Sequence, residues 1–355
     1  MSERSAIGPE AARAVDFGEP VRIWRLRGRS LRLPVRTLRV RAALTALILL
    51  LAATGLLLGG SAIPLDELGP ALLGQGRPAT ERLLWQWRLP RVLFALLAGV
   101  ALAVAGSLFQ SLTRNPLGSP DVIGFDAGAF TGALAVVLVL GSPSYALLAV
   151  GSLLGGLGAA AAVYLLSWRR GVQGLRLVVV GIGVATFLGG INSYLLVRSG
   201  AKRAQEASAW HFGSFDSLGF AHFWPFAACT AVLLLLAVPW AAGFGQLELG
   251  DQTARALGVG VERTRLVMTL TAVCLTAAVT ASSGPIAFVA LVAPHLARSL
   301  SRRPGPDAPT AGLAGAALLL TADLLGQRLG VSVGLITFVL GGGYFLWLLF
   351  KEGRR

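Results

Sequence analysis

Arg88 and Arg91 stand three apart at the head of a long apolar run rich in small residues, with Pro90 between them. Proline is well placed at a first helical position, because the N–H it lacks would be unpaired there anyway. Paired arginines at such a boundary either snorkel to lipid headgroups or offer docking charges to an acidic partner. A second group spans Gly250 to Arg265. Asp251 is a good N-cap and Gly258 a good residue just past a helix end. The spacing predicts a helix of about two turns between them, with Ala254 and Leu257 on one face. Such a helix is either an ordinary loop helix or a plug for a groove on a partner.

Two further segments combine helix breakers with polar groups. From Leu108 to Ala129, Asn115-Pro116 and Ser119-Pro120 stop one helix and force a turn. Gly124 and Gly128 then lie four apart, which suits close helix packing. From Ser283 to Arg298, Pro285 and Pro294 interrupt an apolar run, and His295 is available to cap nearby groups or to face a partner.

Enzyme chemistry is not legible. The chain has no G-x-x-x-x-G-K-[ST] phosphate loop, no H-E-x-x-H helix and no G-x-S-x-G elbow. His211, His222 and His295 have no partners at metal-ligand spacing, so no metal site is expected. Cys229 and Cys274 fall inside apolar runs and are expected to be unpaired thiols. A carboxylate within a membrane costs roughly 2.5–3.5 kcal/mol on insertion scales and commonly marks an ion path. Asp126 and Asp323 alone sit clearly within or at the edge of apolar runs, and Asp121 lies in a Ser-Pro-Asp turn. An ion-coupled secondary transporter would need more such groups. An intramembrane enzyme would need a nucleophile or carboxylate beside His295. Energy supplied by a separate partner fits the scarcity better.

The elements that must hold these groups are membrane helices. The chain has 355 residues, is 55% apolar and only 14% charged, with a mean hydropathy of +0.70. About 20 apolar residues span a bilayer as a helix, and the backbone must satisfy itself there. Continuous apolar runs exclude a membrane barrel, whose strands alternate. Ten spans are expected, near 42–61, 90–111, 123–141, 144–166, 177–197, 221–241, 265–283, 285–301, 308–325 and 334–350. The one at 285–301 is short and suits a broken or partly re-entrant helix. With both termini cytoplasmic, 23 of the 31 Lys and Arg fall inside, as the positive-inside rule asks. Ten of these arginines lie between Arg4 and Arg41, so topology accounts for the net charge of +14 without nucleic acid. The stretch before the first apolar run is too long for a signal peptide, and no cleavage site follows Gly60. The expected organisation is a basic, mostly disordered cytoplasmic tail over 1–40 and a ten-helix domain over 41–355. The fold class is an all-α polytopic membrane protein.

Taken together, the order and spacing of RLPR at 88–91, NPLGSPDVIGFDAGA at 115–129, GDQTARALGVGVERTR at 250–265 and GPIAFVALVAPHLAR at 284–298 resemble one family. It is the permease family of iron–siderophore, haem and cobalamin ABC importers. The likeness runs from about Leu44 to Gly353, and NPLGSPDVIGF is most similar to the ferric-enterobactin-type permeases. The resemblance implies ten helices per subunit and two permease subunits around one pathway, as a homo- or heterodimer. It implies two ATPase subunits that use ATP, an extracytoplasmic siderophore-binding lipoprotein, and no cofactor bound by this chain. It implies a coupling helix carrying Asp251, Thr253, Ala254, Arg255, Leu257 and Gly258. It assigns docking to Arg88, Arg91 and Arg328, and a cytoplasmic gate to Gln173, Gly174 and Leu175. The chain departs from the family pattern in a short loop after Ala322-Asp323 and in Ser332, where proline is usual.

Overall fold

The structure is a computed structural model. It describes residues 21–26, 29–59, 63–116, 118–121, 123–139, 141, 144–167, 174–199, 212–303 and 305–352. Among the described residues, a helix of at least 13 residues stands at each of the ten expected spans. These helices are α1 (Val35–Leu58), α4 (Leu89–Thr113), α5 (Phe125–Val139), α6 (Tyr145–Ser167), α7 (Gly174–Arg198), α8 (Phe220–Ala237), α11 (Val261–Ser283), α12 (Val289–Ser301), α13 (Ala308–Leu329) and α14 (Val333–Glu352). Among the described residues, four short α-helices lie between them: α2 (Leu65–Leu72), α3 (Pro78–Arg82), α9 (Ala241–Leu247) and α10 (Asp251–Ala256). Among the described residues, seven helical stretches are long and apolar enough to cross a membrane, and two shorter apolar helices span Phe125–Leu138 and Val333–Trp347.

The central helix is α4, with α13 and α12 packed on it. Lipid offers no hydrophobic drive for helices to associate, so close approach through small residues must supply the contact. A Cβ on Gly99 would collide with the backbone of Gly315 and Ala316, and one on Gly106 would collide with the Ala290 carbonyl. Pro294 within α12 cannot donate to that same carbonyl four residues back. The loss is tolerated where the Ala290 carbonyl faces a glycine. Gly128 and Gly132 of α5 meet Gly151 and Gly155 of α6 in the same way.

Two expectations need correction at the fold level. Within the basic tail, β1 (Val21–Leu26) pairs antiparallel with β2 (Arg29–Pro34), Trp24 opposite Leu31. Val21, Ile23, Trp24, Leu26, Leu31 and Leu33 are residues that suit a strand, which the arginines among them obscured. Helix α1 then starts at Val35, seven residues before the expected span, because Pro34 sets its entry and no glycine or proline follows until Gly55. The expected broken span is present as α12, only 13 residues long, preceded by a non-helical stretch after Gly284.

Candidate functional site

Charged residues gather at the two ends of the bundle, and α4 joins the two clusters. At its N-terminal end, a wide helical turn over Leu83–Arg88 leads from α3 into α4. Arg88 is buried there. Its Nη1 donates to the Leu56 and Leu57 carbonyls at 2.6 and 3.1 Å, and its Nη2 to the Gly59 carbonyl. These are the last carbonyls of α1, which lack intrahelical donors and carry the negative end of the helix dipole. The charge expected to dock a partner is therefore committed to closing α1.

One turn on, Arg91 holds two carboxylates. Its Nε donates to Asp323 Oδ1 and Oδ2 at 2.9 and 3.1 Å, and Nη2 lies 2.8 Å from Asp323 Oδ1. Its Nη1 lies 2.6 Å from Asp216 Oδ1. The Asp323 side chain is 1% exposed, that of Asp216 74%, and that of Arg91 18%. Gln327 adds a donor to Asp323 at 2.7 Å. Burial works to raise the Asp216 carboxyl, but hydrogen bonds from Ser214 and Arg91, and the charge of Arg91, hold it below the usual carboxylate range. Arg328 is exposed in the last turn of α13.

At the other end the charges are reversed. Asp251 opens α10 and receives Arg114 Nη2 at 2.7 Å and Arg265 Nη2 at 3.1 Å. Desolvation pushes the Asp251 carboxyl up, and these two arginines outweigh it and hold it low. The N-cap of α10 is Gly250 rather than Asp251, whose carboxylate turns to the arginines instead of the helix backbone. The far end is as expected: Gly258 takes φ +82°, and the N–H groups of Gly258 and Val259 return to the Arg255 and Ala254 carbonyls. Ala254 is fully buried in the chain's own core, while Leu257 is 56% exposed. The two do not share an outward face. The face left for a partner consists of Gln252, Thr253, Arg255, Ala256 and Leu257.

Arg114 and Glu248 complete this end. Arg114, the C-cap of α4, adopts a left-handed backbone (φ 48°) and also donates to the Leu247 carbonyl at 3.2 Å. Ser111 donates to Glu248 at 3.0 Å. Beside them lies a polar cavity of ≈ 380 Å³ lined by Gln110, Ser111, Arg114, Glu248 and Arg298. An apolar cavity of ≈ 290 Å³, bounded by Phe109, Phe125, Leu157, Tyr164 and Leu266, lies against Arg265. Of the expected gate, Gln173 lies outside the described residues. Gly174 and Leu175 begin α7, and Arg176 beside them donates to the Leu166 carbonyl of α6 at 3.2 Å.

The remaining polar groups tie helices together between the ends. Asp126 is buried and accepts from Thr280 of α11 at 2.6 Å. Asp121 accepts from the N–H of Phe288 at the start of α12. His295 meets the Tyr344 hydroxyl at 2.5 Å. Gln110 donates to the Leu291 carbonyl at 2.9 Å and accepts from Arg298 at 2.5 Å. Sequence reasoning missed Asp216, Arg114, Arg265 and Gln110 as partners, since each pairs across more than a dozen residues. Asp323 was visible as a lone carboxylate in an apolar run. Among the described residues, no group of three or more His, Cys, Asp or Glu is placed to hold a metal ion.

Glycine-packed apolar helices, a charged cluster at each end and no phosphate loop define a multi-pass membrane transport subunit. The chain belongs to the FecCD transport family, whose model matches residues 45–351. It is 44% identical over 305 residues to the ferric enterobactin transport system permease protein FepG of Escherichia coli, covering 85% of this chain and 92% of that one. It is 36% identical to the iron(3+)-hydroxamate import system permease protein FhuG of Bacillus subtilis, covering 78% and 86%. A solved metal-chelate type ABC transporter in an inward-facing conformation superposes with a TM-score of 0.75 at 28% identity. That match covers 88% of this chain and 99% of the other.

Proposed function

We propose that the chain is the transmembrane permease subunit of an ABC importer for iron–siderophore complexes. The observation that carries this is the 44% identity, over nearly the full length of both chains, to a ferric enterobactin permease. In this reading the chain lies in the cell inner membrane, pairs with a second permease subunit and binds no cofactor. Two ATPase subunits use the ATP, and an extracytoplasmic siderophore-binding lipoprotein delivers the ligand. The arginine-rich N-terminus favours cytoplasmic termini, which puts the Arg91 end outside and the Asp251 end inside.

The mechanism follows from the two ends. The loaded binding protein docks on the outer end, where Arg91 and the exposed Arg328 meet acidic groups. Rim charges of this kind set encounter and register more than affinity. Inside, the exposed face of α10 seats on the ATPase. The Asp251 contacts with Arg114 and Arg265 carry ATPase closure directly into α4 and α11. Gln173, Gly174 and Leu175 gate the inner exit beside α6.

Substrate class is tested by uptake into vesicles holding the complete transporter, with ferric enterobactin, a ferric hydroxamate and haem as probes. Accumulation of a ferric siderophore is expected. Uptake of haem alone would favour the haem branch, to which a Yersinia pestis hemin permease, 38% identical, belongs by name.

A further inference from the structure

The docking arginine already has a carboxylate in the place a partner's carboxylate would take. Asp323 uses Nε and Nη2 of Arg91 and has a third donor in Gln327. It is satisfied without Asp216. The remaining arm, Nη1, points to Asp216, the one member of the trio that is mostly exposed. Asp216 sits on a short loop held from three sides. Ser214 N–H donates to the Ser283 carbonyl at the end of α11, and Gly334 N–H at the start of α14 donates to the Gly213 carbonyl. Phe215 is buried edge-on against Phe94 of α4.

We propose that Asp216 is an internal placeholder for the binding protein. A surface carboxylate of the docking lobe replaces it on Arg91 Nη1, while the buried Arg91–Asp323 pair stays intact. The inference rests on the docking reading above. Exchanging one carboxylate for another keeps the guanidinium paired throughout, so docking exposes no buried charge. The released loop loses its ion pair to α4 but keeps the Phe215–Phe94 contact and its backbone ties to α11 and α14. Docking is thereby reported to the ends of two helices that Arg91 itself does not touch.

The test is binding of the cognate extracytoplasmic protein to the complete transporter in nanodiscs, at low and high salt. Asp216→Asn keeps the side-chain shape and removes the competing charge. It should tighten docking about fivefold at low salt, with the gain shrinking as salt screens the arginine. Arg91→Met with Asp323→Leu removes the whole buried pair without stranding either charge, and should weaken docking together with Arg328→Glu. If these two variants weaken docking but Asp216→Asn leaves it unchanged or weaker, the placeholder is wrong and the docking face stands. If none of the three moves docking, both readings fall.

Discussion

One end of the bundle holds a single arginine between two aspartates, and the other holds a single aspartate between two arginines. The difference that matters is burial. Asp323 is 1% exposed and, among the described residues, pairs with one cation, Arg91, whereas Asp251 is 34% exposed and shares two. A buried pair contributes little over apolar packing, yet removing one partner is costly. A hydrated pair contributes little either way. The Arg91 end is therefore a rigid fastening with one replaceable arm. The Asp251 end is a soft junction whose position is set by packing of Ala254 and whose charges serve to couple α4, α10 and α11.

Substitutions that separate the two ends follow this order. Arg91→Ala should cost about 3–5 kcal/mol, because it strands Asp323. Thermal unfolding in detergent measures it, and a cost under about 1 kcal/mol would mean that the two ends are alike. Ala254→Asp should cost about 2 kcal/mol by placing a polar group in the core, and should leave ATP hydrolysis running without uptake. Arg88→Met should cost about 1–3 kcal/mol, since the α1 carbonyls lose a charged donor. The loss should appear as faster amide exchange near the end of α1. Asp251→Asn should cost at most about 1 kcal/mol yet slow uptake, and raising salt should weaken the Asp251 contacts more than the buried Arg91–Asp323 pair.

The smallest effect is on pH. Both Asp216 and Asp251 are held below their ordinary value, so their stabilisation is present above that value and lost as pH falls through the depressed ones. The loss should begin below about pH 4. Asp216→Asn should flatten part of it, which an acid titration of the melting temperature can resolve.

Most of the helices were readable because apolar length is a local property, whereas the short helix Val289–Ser301 was read from the prolines that interrupt its run. Gly258 was readable because a left-handed turn selects glycine locally. The arginine motifs were readable as motifs, but their roles depend on what lies opposite. Arg88 meets the end of α1, some thirty residues away, and Arg91 meets Asp323 on α13. Ala254 was placed on one face with Leu257 and instead lies buried, since a six-residue helix lacks the length to reveal its buried face by period. The strands at 21–26 and 29–34 were hidden because four arginines interrupt their apolar residues.

The central claim is that this subunit is a conduit driven by ATP hydrolysed on another chain. The direct measurement is ferric siderophore accumulation in sealed vesicles, with the purified chain alone or with its ATPase and binding protein, each under ATP or under an ion gradient. The account predicts accumulation only in the complete assembly with ATP, and none from the chain alone. Concentrative uptake by the chain alone on an ion gradient would contradict it.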